Sequence, residues 1–149
     1  EIPLSIQVKL LRVLQEREFE RLGATKPTKV DVRLVTATNR DLHTAVEDGV
    51  FRLDLLYRLQ VVEVHLPSLR ERKEDILPLA EHFLAKACAE NGRTLTSVGA
   101  QALEAMWAYD WPGNVRELEN TVERAVVLSK RDETELSVHH LPKNLRLVA

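Results

Sequence analysis

The sequence predicts an α/β unit followed by an all-helical unit, on three observations. Residues 30–38 and 61–66 are apolar enough to be mostly buried strands, and short helical stretches lie between them. After Pro67 every long segment has helical period and no convincing strand remains. Pro67 and Ser68 fall where the character changes, so the boundary is drawn there.

The first unit opens with a helix over residues 5 to about 17, because Leu4, Val8, Leu11 and Leu14 recur at helical spacing. A polar stretch through Gly23 and Pro27 reads as a loop. Val30, Val32, Leu34 and Val35 alternate and then run together in the first strand. Asp41 is placed to cap a short helix that stops at Gly49. Residues 51–59 predict a second short helix, and 61–66 a strand that Pro67 ends.

In the second unit Ile76, Leu79, Ala80, Phe83, Leu84 and Ala87 form one apolar stripe, closed by Gly92. Pro78 is tolerated there because it falls in the first helical turn. Thr96 is expected to cap a helix reaching about Tyr109, and another helix starts after Asn114 with Val115, Leu118, Val122, Ala125 and Val126 on one face. A polar segment, residues 131–135, precedes a short tail around Leu141 and Pro142.

Composition sets limits on function. With 149 residues and 44% hydrophobic content the chain has enough apolar surface for a packed core. A net charge of −2 argues against a generally nucleic-acid-binding surface but leaves room for a local basic site. The single cysteine, Cys88, excludes an intramolecular disulfide framework, fits a reducing cytosol and reads as a small buried apolar residue. No apolar run has the length of a membrane span, and residues 1–3 are not the start of a signal peptide. The opening Glu1-Ile2-Pro3 lacks an initiator methionine, which predicts a processed or excised fragment.

Trp111-Pro112-Gly113-Asn114-Val115-Arg116-Glu117-Leu118 is the most informative stretch. It predicts a tight turn into a helix, with Asn114 as cap and Glu117 completing a capping box. Arg116 then sits at the end of a helix whose macrodipole is already positive, so it makes most sense beside an anion. A surface pairing with Glu119 or Asn120 is the alternative.

Arg52 and Arg58 are the next candidates. If residues 51–59 are helical throughout, Arg52 falls inside the arc of Phe51, Leu55, Leu56 and Leu59, and Arg58 at its edge. Guanidinium groups on an apolar face imply a negative partner, and phosphoryl transfer uses such groups to stabilise spreading charge. An Asp54–Arg58 pair within the helix accounts for the spacing equally well. Asn39 follows the first strand, where ligands sit in open α/β sheets; it suits a water or phosphate contact, or simply a turn. The mixed run Arg70-Glu71-Arg72-Lys73-Glu74-Asp75 reads as a solvated linker and helix start, and His139-His140 as surface without metal partners. There is no G-x-x-x-x-G-K-[ST] loop, so any nucleotide site is only partly built by this chain.

Taken in order, the segments 7–15, 33–40, 49–59, 66–76 and 111–118 resemble the second half of the AAA+ ATPase domain of bacterial enhancer-binding proteins, the NtrC-like activators of sigma-54 RNA polymerase. The resemblance covers residues 1–130. It implies a partial AAA+ P-loop NTPase core over residues 1–68, a helical lid over 69–131, and a connector over 132–149 toward a DNA-binding domain absent here.

It also implies roles. Asn39 matches sensor I, which reads the γ-phosphate; Arg52 and Arg58 match arginine fingers acting on ATP in the neighbouring subunit; Arg116 matches sensor II, contacting nucleotide in its own subunit. Residues 18–29 match the loop before sensor I. ATP and Mg2+ are the implied cofactors, bound mainly by residues expected upstream of Glu1, so the fragment is not expected to hydrolyse ATP alone. The implied partners are sigma-54 RNA polymerase holoenzyme and further copies of the chain in a ring, with DNA contacted only through the absent domain and no membrane. In the AAA+ sheet the two predicted strands flank a strand that this chain lacks, so their edges need partners and the α/β part is expected to be less stable than the lid.

Two other classes fit parts of the sequence. Residues 97–129 suggest a helix-turn-helix, but their two basic residues (Arg116, Arg124) against five acidic ones give −3, the wrong sign for a phosphate-facing surface. A subunit-assembly module, with arginines that only stabilise an interface, is the other.

Overall fold

Helix α1 (Leu4–Glu16) leads into Arg17, which turns the chain in the left-handed region with φ 54°. The computed structural model describes residues 2–21, 23 and 26–146. The backbone divides into two compact units, Glu1–His65 and Leu66–Ala149.

In the first unit, α1 is followed by an antiparallel hairpin of β1 (Glu18–Glu20) and β2 (Pro27–Lys29), with Phe19 opposite Thr28. The expectation of a plain loop here is corrected: strand pairing extends to Pro27 on one side of the Gly23 turn. Positions 22, 24 and 25 of that segment lie outside the described residues. Helix α2 (Leu42–Glu47) starts at Asp41, whose carboxylate accepts from the amides of His43 at 2.8 Å and Thr44 at 3.2 Å. Those two amides lack helical partners, so the cap removes an unsatisfied pair of donors. Helix α3 (Leu53–Leu59) buries Leu55 and Leu56.

The two longer strands expected in this unit do not form. Residues 31–38 and 61–66 have no ladder among the described residues, and their apolar side chains stand in solvent, Val35 and Val62 each at 82% exposure. A strand's stability comes from hydrogen-bonded neighbours, and neither segment has one here. The α1 stripe is likewise incomplete: Leu4 and Val8 are about half exposed, whereas Gln7 is buried.

The second unit has a continuous core. The backbone enters it through 3-10 turns at Leu69–Glu71 and Lys73–Asp75, the first closed by a reciprocal capping box between Ser68 and Glu71. Helix α4 (Ile76–Asn91) follows and ends at Gly92 with φ 60°, a conformation that glycine adopts without the Cβ penalty. Helix α5 (Ala100–Ala108) and helix α6 (Asn114–Leu128) complete the main layer. Ile76, Ala80 and Leu84 of α4, Met106 of α5, and Leu118, Val122 and Val126 of α6 are all essentially inaccessible, and Leu69 joins them. Each such Leu, Ile, Met or Val contributes about 1.5–3 kcal/mol on burial.

Three lid expectations are corrected. Short parallel strands occur, β3 (Ser97–Val98) beside β4 (Glu135–Leu136). Thr96 therefore does not cap α5; its amide and hydroxyl both meet the Thr134 carbonyl, and Gly99 occupies the cap position. The 70–75 charge run is partly engaged, with Arg72 on Asp75 at 3.3 Å and Lys73 Nζ donating to the Trp107 carbonyl at 2.8 Å. Residues 132–146 place Leu136, Leu141 and Leu145 in the same core, the last on α7 (Lys143–Arg146); positions 147–149 lie outside the described residues. Within this stretch His140 is not a free surface group, because its Nδ1 accepts from the Ser137 amide and its Nε2 lies 3.0 Å from Glu133. Cys88 is buried and free. No helix among the described residues is long and apolar enough to cross a membrane.

Amide hydrogen exchange on this chain is expected to show slow exchange in α4, α5 and α6 and near-intrinsic rates over residues 31–38 and 61–66. Equal protection of the two units contradicts the picture of one closed core and one with unpaired segments.

Candidate functional site

The candidate arginines fall in two places, one in each unit. In the first unit a corner at Val50–Arg52 precedes α3, and Arg52 is its N-cap with φ −83° and ψ 133°. The helical-wheel placement of Arg52 on an apolar arc is corrected: Arg52 is extended and lies outside the helix, so it follows no helical periodicity. The buried face of α3 consists of Leu55 and Leu56, and Arg58 is exposed.

The guanidinium of Arg52 grips Asp54 with two bonds, Nε to Oδ1 at 3.0 Å and Nη2 to Oδ2 at 2.6 Å. Asp54 Oδ1 also accepts from the Leu55 amide at 2.8 Å. The Arg52 bonds and that backbone bond hold the Asp54 carboxyl below its ordinary value, against a desolvation effect, while Asp54 raises Arg52 in turn. The alternative pairing of Asp54 with Arg58 does not occur. Arg58 Nη2 instead donates to the Leu14 carbonyl at 3.1 Å, near the C-terminal end of α1. Arg52, Leu53, Asp54 and Tyr57 line an open concavity of about 440 Å³, with Tyr57 69% exposed. Asn39 stands exposed in a bend just beyond residues 31–38, where Thr38 Oγ1 accepts from the Arg40 amide.

In the second unit the turn into α6 is built differently from the capping box expected. Asn114 adopts φ 51° and its side-chain oxygen accepts from the Leu69 amide at 2.8 Å rather than from α6. Asparagine is among the few side chains that enter this region readily, and the bond satisfies a buried donor at the start of the lid. Glu117 keeps its half of the expected role. One carboxylate oxygen accepts from the Gly113 amide at 2.8 Å, the other from the Tyr109 hydroxyl at 3.0 Å, a bond that raises the Tyr109 phenol above its ordinary value. A Cβ on Gly113 would lie 2.8 Å from the Glu117 Cβ, so this approach requires glycine. Trp111 also has positive φ, 51°, which is strained for a bulky residue. Burial of its indole, 1% exposed, and an Nε1 bond to the Met106 carbonyl at 2.8 Å offset that strain.

This turn presents Arg116 to solvent without a partner among the described residues. Glu119, its proposed surface mate, is taken by Lys86 at 2.9 Å. Arg116, Asn120, Thr121 and Arg124 line an open groove of about 610 Å³ together with Glu117, whose carboxylate is already engaged by Gly113 and Tyr109. An unpaired guanidinium in such a groove is chemically suited to an anion.

Comparison with known proteins gives this geometry its context. Residues 1–65 match the sigma-54 interaction domain, and residues 70–148, more than half the chain, match the AAA+ ATPase lid domain. This chain belongs to the AAA+ sigma-54 activator family. It is 54% identical over 129 residues to the regulatory protein AtoC of Escherichia coli, covering 87% of this chain and 28% of that protein. It is 58% identical over 132 residues to a Nif-specific regulatory protein of Herbaspirillum seropedicae, covering 89% and 24%. Among solved structures, NtrX from Brucella abortus in complex with ATP superposes with a TM-score of 0.85 at 39% identity, over 96% of this chain and 33% of that one. The chain thus spans about a quarter of the length of these curated relatives. The fold is a partial AAA+ α/β core followed by a helical lid, as the sequence predicts.

Sequence reasoning missed Gln7. Its amide joins Ile2, Val50 and Arg52, yet a glutamine in an apolar stripe carries no sign of burial.

Two outcomes follow. Both tryptophans lie in the second unit, so fluorescence during urea unfolding reports that unit. Asn114→Ala is expected to destabilise it by about 1–3 kcal/mol through the orphaned Leu69 amide. Asn114→Gly is expected to recover about 1 kcal/mol of backbone cost, and no difference between the two variants contradicts the positive-φ argument. Asp41 and Asp54, both lowered from 3.8, contribute stability that is complete above that value and lost as pH falls through the lower folded value. Carboxyl NMR titration of Arg52→Gln is expected to return Asp54 toward 3.8 and leave Asp41 in place; an unmoved Asp54 contradicts the pairing.

Proposed function

We propose that this chain is the second half of the ATPase domain of a bacterial enhancer-binding activator, which as a homo-oligomeric ring hydrolyses ATP to remodel sigma-54 RNA polymerase holoenzyme and start transcription. The observation that carries this reading is the match of both units in chain order, sigma-54 interaction domain and then AAA+ lid. Arg52 and Arg58 are arginine fingers reaching ATP held by a neighbouring subunit. Arg52 is partly exposed at its corner and Arg58 exposed on α3, and the partners that hold them, a carboxylate and a carbonyl, are ones a phosphate displaces on charge and geometry. Asn39 is sensor I, whose side-chain amide has the donors to read a γ-phosphate. Arg116 is sensor II, bonding nucleotide in its own subunit from the lid.

The chemistry that this chain contributes is electrostatic. As the γ-phosphoryl group loosens, charge spreads over its oxygens, and planar guanidinium groups that are always charged stabilise it without a proton transfer. The NtrX relative has been crystallised with ATP and with ADP, which supports nucleotide as the ligand. Among the described residues no three His, Cys, Asp or Glu gather at metal-binding distance. With no phosphate-binding loop motif in the sequence, the chain is expected to be inactive alone. DNA is reached only through a domain outside this chain, and the protein works in the cytoplasm.

In the intact protein, Arg52→Ala or Arg58→Ala is expected to lower ATP hydrolysis by about 1,000-fold or more with nucleotide binding retained. Either variant mixed with subunits whose phosphate-binding loop is disabled should regain hydrolysis at mixed interfaces. Loss of nucleotide binding sinks the finger assignment, and absence of recovery favours a module whose arginines only stabilise assembly.

A further inference from the structure

Gln7 is 1% exposed, the most buried polar side chain among the described residues, and all three of its hydrogen bonds go to backbone. Its Nε2 donates to the Ile2 carbonyl at 2.8 Å and the Val50 carbonyl at 2.9 Å, while its Oε1 accepts from the Arg52 amide at 2.9 Å. The remaining amides of the corner, those of Val50 and Phe51, both go to the Ala45 carbonyl at the end of α2. Gln7 therefore supplies the tie between this corner and α1. Two donors and one acceptor at that reach are what a primary amide of glutamine length provides.

We propose that Gln7 is a positioning residue for Arg52, fixing the backbone from which the guanidinium projects; the inference rests on the reading of Arg52 as a finger. Arg52 is held at two points, its amide by Gln7 and its head group by Asp54. Nη1 is left without a partner among the described residues. The Asp54 bond is one that phosphate replaces, but the Gln7 bond is buried and stays. Preorganisation of the finger then depends on α1, whose register sets where Gln7 stands. Misplacing a catalytic group by about 1 Å costs about 100-fold in rate, so loss of this tie is expected to be felt at the neighbour's phosphate.

The test uses the intact AAA+ protein that carries this segment, with Gln7→Met (similar length, no hydrogen bonds) and Gln7→Glu (similar size, no amide donors), beside Arg52→Ala. Both Gln7 variants are expected to assemble, to bind a fluorescent ATP analogue within about 2-fold of wild type, and to hydrolyse ATP at least about 10-fold more slowly. Each should regain hydrolysis when mixed with subunits that cannot bind nucleotide but keep Gln7, because those subunits present an intact finger. A purely structural role predicts something else: lost assembly or lost nucleotide binding, with no recovery on mixing. Unchanged hydrolysis in both variants, or either structural outcome, overturns the inference. Recovery by Arg52→Ala without recovery by the Gln7 variants overturns it alone, whereas failure of Arg52→Ala to recover overturns the finger reading and this inference together.

Discussion

Pairing of backbone donors and acceptors decides which parts of this chain stand by themselves. In the second unit several backbone donors at helix and turn starts are met by side chains of the same unit: Ser68 with Glu71, the Gly113 amide with Glu117, the Leu69 amide with Asn114. Its one pair of strands, β3 and β4, closes within the unit as well. In the first unit, residues 31–38 and 61–66 have the composition of buried strands and no neighbour to pair with among the described residues. An apolar segment with open backbone is a template for strand addition. The solvent-facing valines at 32, 35, 61, 62 and 64 are the same fact seen from the side chains.

That difference explains what was legible in the sequence. Features fixed by nearest neighbours were readable: the Asp41 cap, the left-handed stop at Gly92 and the apolar faces of α4 and α6 each depend on a few adjacent residues. Strands at 30–38 and 61–66 were inferred from composition, which reports how much a segment wants burial but not whether a partner is present. The apolar spacing of residues 51–59 suggests a helix two residues longer than the one that forms, which puts Arg52 inside it. Asn114 looks like a cap in the sequence because the cap residue and the left-handed turn residue come from the same small set. Only tertiary structure distinguishes them, through the distant Leu69 amide. The site's arginines are visible as motif residues, but Gln7, which joins α1 to the corner, is not, because its partners are backbone atoms and the two in the corner lie more than 40 residues away in sequence.

The three arginines rest in different states, and those states suit different tasks. Arg52 is paired with a carboxylate through two bonds, Arg58 donates to a single neutral carbonyl, and Arg116 has neither among the described residues. A phosphate competing for Arg52 must replace a charged partner, so engagement there depends on an anion of high charge arriving in good geometry. Arg116 meets no such competition, and its groove admits an anion without rearranging an ion pair. On the proposed reading a subunit's own nucleotide is met easily from the lid, while the neighbour's is met only when a charged phosphate displaces Asp54.

The most direct measurement is a structure of the assembled protein with a non-hydrolysable ATP analogue, examined at the subunit boundary. Arg52 and Arg58 are expected within hydrogen-bonding distance of the neighbour's terminal phosphate, Arg52 having exchanged Asp54 for it while the Gln7 bond to its amide persists. Arg116 should contact the nucleotide of its own subunit. Arg52 and Arg58 still on Asp54 and Leu14, or all three arginines on one subunit's nucleotide, would contradict this reading.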